Sequence, residues 1–243
     1  MAGHDDTTLG GPAPGFPATN SQFLEGLRDP SSRAGRASFE DLCRRYWKPI
    51  YCFVRLSGSP SNEDAKDLTQ AFFAWLLNGD VLARYERERA PFRQYLKGVL
   101  RRFLSDARES AGRIKRGGAA TFVPVDGDGP SLEELCADPK NADPTSAFDR
   151  AWLASLIDHA VGRLRERIRP DQFRVFQAHD LAPDADRPSY GDLASRFGIS
   201  EDQVRRILST LRGALREEMR AELRRQTTSP EDFDEEWHAL RGL

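Results

Sequence analysis

Apolar side chains recur every three or four residues along most of this chain, which is the spacing of one buried face of an α-helix. A short helix is predicted over Ser21–Arg28. The first long helix is predicted over Ser38–Leu56, with Ser38 as its N-cap. Its apolar positions are Phe39, Leu42, Cys43, Tyr46, Ile50, Phe53 and Val54.

Two further amphipathic helices are predicted before residue 116. The first carries Leu68, Phe72, Trp75 and Leu76 at helical spacing. The second begins at Pro91, since proline is favoured in the first turn of a helix. Together the three helices predict one compact helical domain over residues 21–116. The apolar stripe of the third helix is the most regular in the chain and consists of Phe92, Tyr95, Leu96, Val99, Leu100, Phe103 and Leu104.

Two segments lack this periodicity. Residues 1–20 are rich in Gly and Pro and predict a disordered leader. Residues 117–146 are rich in Pro and Asp and predict a flexible acidic linker between domains.

A second helical domain is expected over residues 147–225. Its first helices are predicted over Ala147–Ile168 and Pro170–His179. Residues 226–243 form an acidic tail, with one more helix from Pro230. The expected fold class is therefore all-α, with two small helical domains joined by an acidic flexible linker, the second containing a helix-turn-helix.

The stretch SYGDLASRFGISEDQVRRILSTLR, residues 189–212, has the pattern of two short helices that cross tightly. Gly198 permits a sharp turn, because glycine enters positive φ without a steric penalty. Ser200 is the predicted N-cap of the second helix, and the small Ala194 lets the two axes approach. The inward positions are Leu193, Ala194, Phe197, Ile199, Val204, Ile207, Leu208 and Leu211.

The exposed face of the second helix is rich in residue types that contact DNA. Arg and Gln side chains read base edges in the major groove, while Ser and Arg hold phosphates. This pattern predicts a helix-turn-helix; the alternative is a helical hairpin with an ordinary solvated arginine face. The candidate DNA-binding residues here are Ser200, Gln203, Arg205, Arg206, Ser209 and Arg212.

Charge is distributed in blocks, although the net charge is only −2. Eleven basic and five acidic residues give Asp80–Arg116 a net charge of +6. Seven acidic residues and one lysine give Thr121–Asp149 a net charge of −6. Alternating blocks of this kind indicate a polyanionic partner more strongly than the total does.

The third helix carries a basic stripe on the face opposite its apolar stripe. Such a stripe suits the tracking of phosphates, because each neutralised phosphate releases counterions; the alternative is a soluble helix surface. Just upstream, Tyr85 is an exposed aromatic by its charged surroundings and suits the stacking of an unpaired base, although a ring in such a stretch is more often a lid on the local core. The basic candidates are Arg93, Lys97, Arg101 and Arg108, with Arg102 at the edge of the stripe.

Asp64, Asp67 and Gln70 form a polar, mainly acidic face on the second helix. That face suits docking of a basic partner helix, although an acidic helix face is usually just solvated.

Several classes of protein find no support in the sequence. The three cysteines have neither CxxC spacing nor a nearby pair of histidines, so reduced thiols are expected and no metal site. No phosphate-cradling glycine loop or nucleophile elbow is present, so neither an enzyme nor a cofactor is predicted. The N-terminus lacks a signal peptide and no apolar run reaches membrane-spanning length. A cytoplasmic protein without membrane contact is expected.

The segments SFEDLCRRYWKPIYCFVRLSG, NEDAKDLTQAFFAWLL and FRQYLKGVLRRFLSDARES resemble region two of bacterial RNA polymerase sigma factors of the extracytoplasmic-function (ECF) type. RPSYGDLASRFGISEDQVRRILSTLR resembles the helix-turn-helix of their region four. The resemblance runs from about residue 21 to residue 225, in the order of that family and with a linker between the two regions.

This resemblance implies a subunit that binds core RNA polymerase, recognises promoter DNA and promotes strand opening. Asp64, Asp67 and Gln70 would dock the β′ coiled coil, and the second domain would contact the β flap. Tyr85 would capture a flipped base of the minus-ten element, with Arg101, Arg102 and Arg108 along the strand. The second helix of the helix-turn-helix would read the minus-thirty-five element.

The resemblance also allows an anti-sigma factor as a further partner, and it implies a monomer when the protein is free. We expect the acidic tail to shield the basic surface of region four until polymerase is bound. The alternative function is a stand-alone helix-turn-helix transcription regulator that does not associate with polymerase. A polymerase-binding decoy without promoter activity is a third alternative.

Overall fold

The computed structural model describes residues 23, 26–29, 32–59, 61–86, 89–111, 143–227 and 229–240. Over these residues the fold is all-helical and contains no strand, which confirms the expected class to that extent. The predicted leader and nearly all of the predicted linker lie outside the described residues. The helices are α1 (Arg33–Leu56), α2 (Asn62–Asn78), α3 (Phe92–Ala111), α4 (Pro144–Arg167), α5 (Pro170–Asp180), α6 (Tyr190–Phe197), α7 (Glu201–Gln226) and α8 (Pro230–Ala239).

Helix α1 begins one and a half turns before the predicted start. Its N-cap is Ser32, whose hydroxyl accepts a hydrogen bond from the backbone N–H of Gly35 at 2.9 Å. The prediction that Ser38 is the N-cap is therefore wrong. Sequence does not indicate this start, because the first helical residues, RAGRA, have no apolar stripe. Gly35 is buried here by close approach of the backbone: a Cβ at this position would lie 1.8 Å from the carbonyl oxygen of Asp29.

Helices α1, α2 and α3 enclose the first core. The predicted stripe of α3 is confirmed, with Phe92, Leu96, Leu100 and Leu104 buried. Aromatic rings fill much of the space between the helices. Trp47 of α1, for example, stacks on Phe73 of α2 with ring centroids 5.7 Å apart. Each buried apolar side chain of this size contributes about 1.5–3 kcal/mol to the free energy of unfolding.

Helix α4 joins the first core through its N-terminal half, so the predicted domain boundary at residue 147 does not coincide with the boundary between the two cores. The periodicity of α4 shows that the helix has a buried face but not which core receives it. The residues from beyond the linker that are buried in the first core are Ala147, Phe148, Ala151, Trp152, Leu156, Leu223 and Phe233.

A second, smaller core lies among α4, α5, α6 and α7. Its buried residues are Leu164, Phe173, Val175, Phe176, Leu193, Val204, Leu208 and Leu211. The 26 residues of α7 give it a length of about 39 Å at 1.5 Å per residue. One continuous helix thus carries side chains into both cores.

Of the two cysteines that the structure describes, one differs from expectation. Cys43 is a free, buried thiol, and burial raises its pKa to about 12. Cys52 is disulfide-bonded, so the expectation of reduced thiols is wrong for this residue. Sequence spacing could not show this, because spacing does not determine which cysteines meet in the fold.

None of the helices within the described residues is long and apolar enough to cross a membrane.

Candidate nucleic-acid interface

The turn between α6 and α7 is fixed by local hydrogen bonds at both helix starts. Ser189 and Asp192 form a capping box on α6, and Ser200 and Gln203 form a second one on α7. In the second box the Ser200 N–H donates to the Gln203 side-chain oxygen at 2.8 Å. Gly198 ends α6 in the left-handed region, at φ 66° and ψ 36°, as the sequence predicted. Three residues, 198–200, therefore join α6 to α7, and the start of α7 is capped by its own side chains.

The two helices rest on the second core. Leu193, Val204, Leu208 and Leu211 are buried, and the remaining predicted inward positions pack against them half-buried. The predicted inward face is therefore confirmed. Close packing at these positions holds the opposite face of α7 rigidly toward solvent. The half-buried members are Ala194, Phe197, Ile199 and Ile207.

The opposite face of α7 presents Arg205, Arg206 and Ser209, all of them exposed. Arg205 pairs with Asp202 one turn earlier, at 2.8 Å. An exposed pair of this kind contributes roughly 0–1 kcal/mol and gives way easily to a phosphate. The side-chain oxygen of Gln203 accepts the capping hydrogen bond from Ser200. Gln203 therefore has a structural role in addition to its candidate role in DNA binding.

Arg212 is exposed, as predicted, but its guanidinium also makes a two-point contact with Asp180 of α5, with Nε and one terminal nitrogen each 2.7 Å from a carboxylate oxygen. The hydrogen bonds that Arg212 donates to Asp180 raise the pKa of Arg212 further above its ordinary value. Burial alone would raise the pKa of Asp180, but the bonds from Arg212 and His179 outweigh it, and the pKa is lowered. Arg212 therefore fixes α5 against α7.

Three of the basic residues of α3 are exposed as predicted, namely Arg101, Arg102 and Arg108. Arg101 donates to the hydroxyl of Thr145, at the start of α4, at 2.8 Å. Arg108 donates to the carbonyl of Ser57, just after α1. The exposed part of the stripe is thus confined to the C-terminal half of α3.

The prediction that Arg93 and Lys97 are exposed is wrong. Arg93 is 4% exposed and Lys97 is 2% exposed. Arg93 pairs with Asp149 of α4 and with Glu236 of α8, and Lys97 lies 2.9 Å from a carboxylate oxygen of Asp149. These two cations face the second half of the chain and not solvent.

Aromatic rings complete the surroundings of the two cations. The guanidinium of Arg93 lies 4.5 Å from the ring centroid of Trp152, and the ammonium of Lys97 lies 5.8 Å from that of Phe148. Burial opposes the charge on Arg93, but Glu236 and Asp149 outweigh it and raise the pKa of Arg93. Burial raises the pKa of Glu236 above 4.5, and Arg93 offsets only part of that effect.

The predicted exposure of Tyr85 is also wrong, and the prediction of a lid on the local core is confirmed. Tyr85 is 5% exposed, and its ring lies edge-on to Phe92 with centroids 5.2 Å apart. Its hydroxyl donates to the carbonyl of Ala90 at 3.1 Å. Tyr85 therefore anchors the chain that precedes α3 to the start of that helix.

The acidic face of α2 is the outer side of a helix that packs on the first core. Asp64 and Asp67 are exposed, and Gln70 is half-buried one turn further on. Asp64 also lies in the first helical turn, where its backbone N–H donates to the N-cap hydroxyl of Ser61 at 3.1 Å. A carboxylate at this position favours the helix and leaves Asp67 as the more freely presented charge.

The predicted acidic tail is described over residues 226–227 and 229–240, and its shielding of the predicted DNA-binding face stays a prediction. Helix α8 lies against the C-terminal half of α7. The guanidinium of Arg220 lies 5.1 Å from the ring centroid of Trp237, and that of Arg224 lies 5.1 Å from the ring centroid of Phe233. Glu236 of α8 reaches α3. The packing of its apolar face sets the position of α8, and that position determines which groups its charged side chains contact.

No protein-family model, curated protein or solved structure matches this chain. Within the part of the chain that the structure describes, no three His, Cys, Asp or Glu side chains are grouped so that they could hold a metal ion.

Proposed function

We propose that this protein is an RNA polymerase sigma factor of the ECF type, which binds core polymerase, recognises promoter DNA and promotes strand opening. The observation that carries the proposal is the turn at Gly198, which is capped on both sides and backed by a buried stripe. That turn holds the exposed Arg205, Arg206 and Ser209 on one face of α7. Arginine and serine at such positions suit base edges and phosphates in a groove.

The acidic face of α2 supports docking to polymerase. Asp64 and Asp67 are exposed on α2, which packs on the first core. The predicted DNA-reading face of α7 lies on the second core instead. In the proposed function this face binds the β′ coiled coil, while the second core binds the β flap. The protein acts in the cytoplasm, as a monomer when it is free of polymerase.

Polymerase then supplies the geometry that makes weak DNA contacts effective. Each core contributes a separate DNA contact, and two contacts held at a fixed distance add as a multivalent interaction. Arg101, Arg102 and Arg108 are the exposed cations of α3 that would follow the phosphates of the opened strand. Extruding a base costs a few kcal/mol, which these contacts offset without ATP. The buried Tyr85 has no part in this step.

The test is binding of the purified protein to core RNA polymerase, with Asp67→Arg as the diagnostic variant. Glu166→Arg is the control, since Glu166 is an exposed acid near the C-terminus of α4. A cation there suits the helix dipole, so this variant should fold and bind as the parent does. Tight binding by parent and control, with at least tenfold weaker binding by Asp67→Arg, is the expected result. Absence of binding by the parent would favour the stand-alone regulator instead.

A further inference from the structure

Tyr190, the first residue of α6, lies beside two of the arginines that the sequence indicates for DNA binding. The guanidinium of Arg205 lies 5.9 Å from the centroid of the Tyr190 ring. Arg212 follows Arg205 by seven residues, which is close to two turns, so both arginines project from the same side of α7. The apolar spacing of α6 gives no sign of this arrangement, because the contacts join two different helices.

Arg212 is itself held in place on the side of α5. Its guanidinium makes the two-point contact with Asp180, and Nδ1 of His179 lies 2.7 Å from the same carboxylate. A bidentate contact between arginine and carboxylate fixes the plane of the guanidinium as well as its position. The hydrogen bonds to Asp180, and after them a side-chain hydrogen bond with Tyr190, raise the pKa of Arg212 against the opposing effect of burial. Tyr190 therefore has a fixed partner on this side.

The Tyr190 ring is better ordered by its surroundings than Arg205 is. Its centroid lies 5.2 Å from that of the His179 ring, and the side chain packs half-buried against the second core. The side chain of Arg205 is 62% exposed, and that of its ion-pair partner, Asp202, is 83% exposed. An exposed ion pair orders an arginine only weakly, because solvent screens the attraction. The ring is therefore the fixed surface against which the guanidinium of Arg205 lies.

We propose that Tyr190 is a positioning residue for Arg205, and that its ring orients the guanidinium on the predicted DNA-reading face of α7. The ring attracts the cation through its quadrupole and leaves the N–H donors at the edge of the guanidinium available. Arg205 can therefore exchange Asp202 for a phosphate or a base edge while the ring still orients it. Arg212 and Asp180 act one step further away, since they hold the ring. That DNA is the ligand of Arg205 rests on the proposed function; the contact with the ring does not.

The first experiment measures the order of the Arg205 side chain in the full chain without DNA. NMR relaxation of the arginine Nε–H groups gives an order parameter for each side chain. Arg206 is the internal reference, because it is also exposed on α7. Arg205 should be more ordered than Arg206 in the parent and in Tyr190→Phe, which keeps the ring, and should fall to the level of Arg206 in Tyr190→Leu. Its Cδ protons should also be shifted upfield of those of Arg206 in the parent, which needs no variant. Equal order and equal shifts of the two arginines in the parent would overturn the proposal.

The second experiment determines whether Tyr190 acts on DNA binding through Arg205. Tyr190→Leu should weaken binding of a mixed-sequence duplex at low salt about threefold, which is the scale of an exposed cation–π contact, whereas Tyr190→Phe should bind as the parent does. In an Arg205→Ala background, Tyr190→Leu should cause no further loss. Equal losses in both backgrounds would overturn the proposal, because a merely structural role of Tyr190 would persist without Arg205. The order parameter needs neither DNA nor polymerase, so a failure here is distinct from a failure of the proposed function.

Discussion

Nε of Arg93 on α3 lies 2.7 Å from a carboxylate oxygen of Glu236 on α8, although 143 residues separate the two in the chain. The contact joins the first core to the last helix of the protein. With Asp149 on its other side, the guanidinium connects three helices at one point. Arg93 therefore ties the packing of α4 and α8 to that of the first core.

Arg93→Ala should lower the free energy of unfolding by about 3–5 kcal/mol, because it leaves the buried Glu236 and the largely buried Asp149 without their shared partner. Urea denaturation measures the change. Arg102→Ala removes an exposed arginine from the same helix and should stay within about 0.5 kcal/mol of the parent. Equal effects of the two substitutions would contradict the buried network.

Two glycines should respond to alanine with opposite sign. Gly198 has φ 66°, so alanine there should destabilise the fold by about 1–2 kcal/mol through the backbone alone, since a Cβ would meet nothing within 4 Å. Gly213 lies inside α7, where a Cβ also meets nothing within 4 Å, and alanine should stabilise by about 0.5–1 kcal/mol. Thermal unfolding of both variants decides the matter; a shift of the same sign in both would refute the assigned turn.

Asp180 and Arg212 should be energetically coupled. A double-mutant cycle with Asp180→Ala and Arg212→Ala should give a coupling of about 1 kcal/mol in the free energy of unfolding, since the contact is bidentate and Asp180 is largely buried. Arg206→Ala removes an exposed side chain and should weaken DNA binding without a comparable loss of stability. A coupling near zero would return Arg212 to the group of binding residues.

His159 should make the fold sensitive to mild acid. Burial lowers its pKa below the ordinary 6.5 and the charge of Arg45 lowers it further, while the charges of Glu222 and Asp41 offset only part of this effect. The unfolded chain therefore takes up the proton first as pH falls. The contribution of His159 to stability is complete above pH 6.5 and is lost progressively below it. His159→Gln should flatten the decline of stability from pH 7 toward pH 5, measured by urea denaturation; an unchanged slope would exclude His159 as its source.

The parts of the fold that follow from nearby residues could be predicted. Gly198 and Ser200 act within one turn of their own positions, so sequence alone indicated the reversal and the cap. The apolar stripe of α3 could likewise be predicted, because helical periodicity identifies a buried face directly.

What depends on distant partners could not be predicted. Periodicity places Arg93 and Lys97 opposite the apolar stripe, but it does not say whether solvent or another helix lies there. Their partners Asp149 and Glu236 are 52 to 143 residues away. The same reason explains Arg212, whose partner Asp180 lies 32 residues earlier on another helix.

The most direct test of the proposed function is transcription by core RNA polymerase from a library of genomic DNA fragments, with and without this protein. The account predicts protein-dependent transcripts whose start sites share two upstream sequence elements at constant spacing. Arg206→Ala should reduce these transcripts while core polymerase binding persists, because Arg206 lies on the exposed face of α7 and not on the acidic face of α2. Binding to polymerase without any defined start site would contradict the account and favour the decoy.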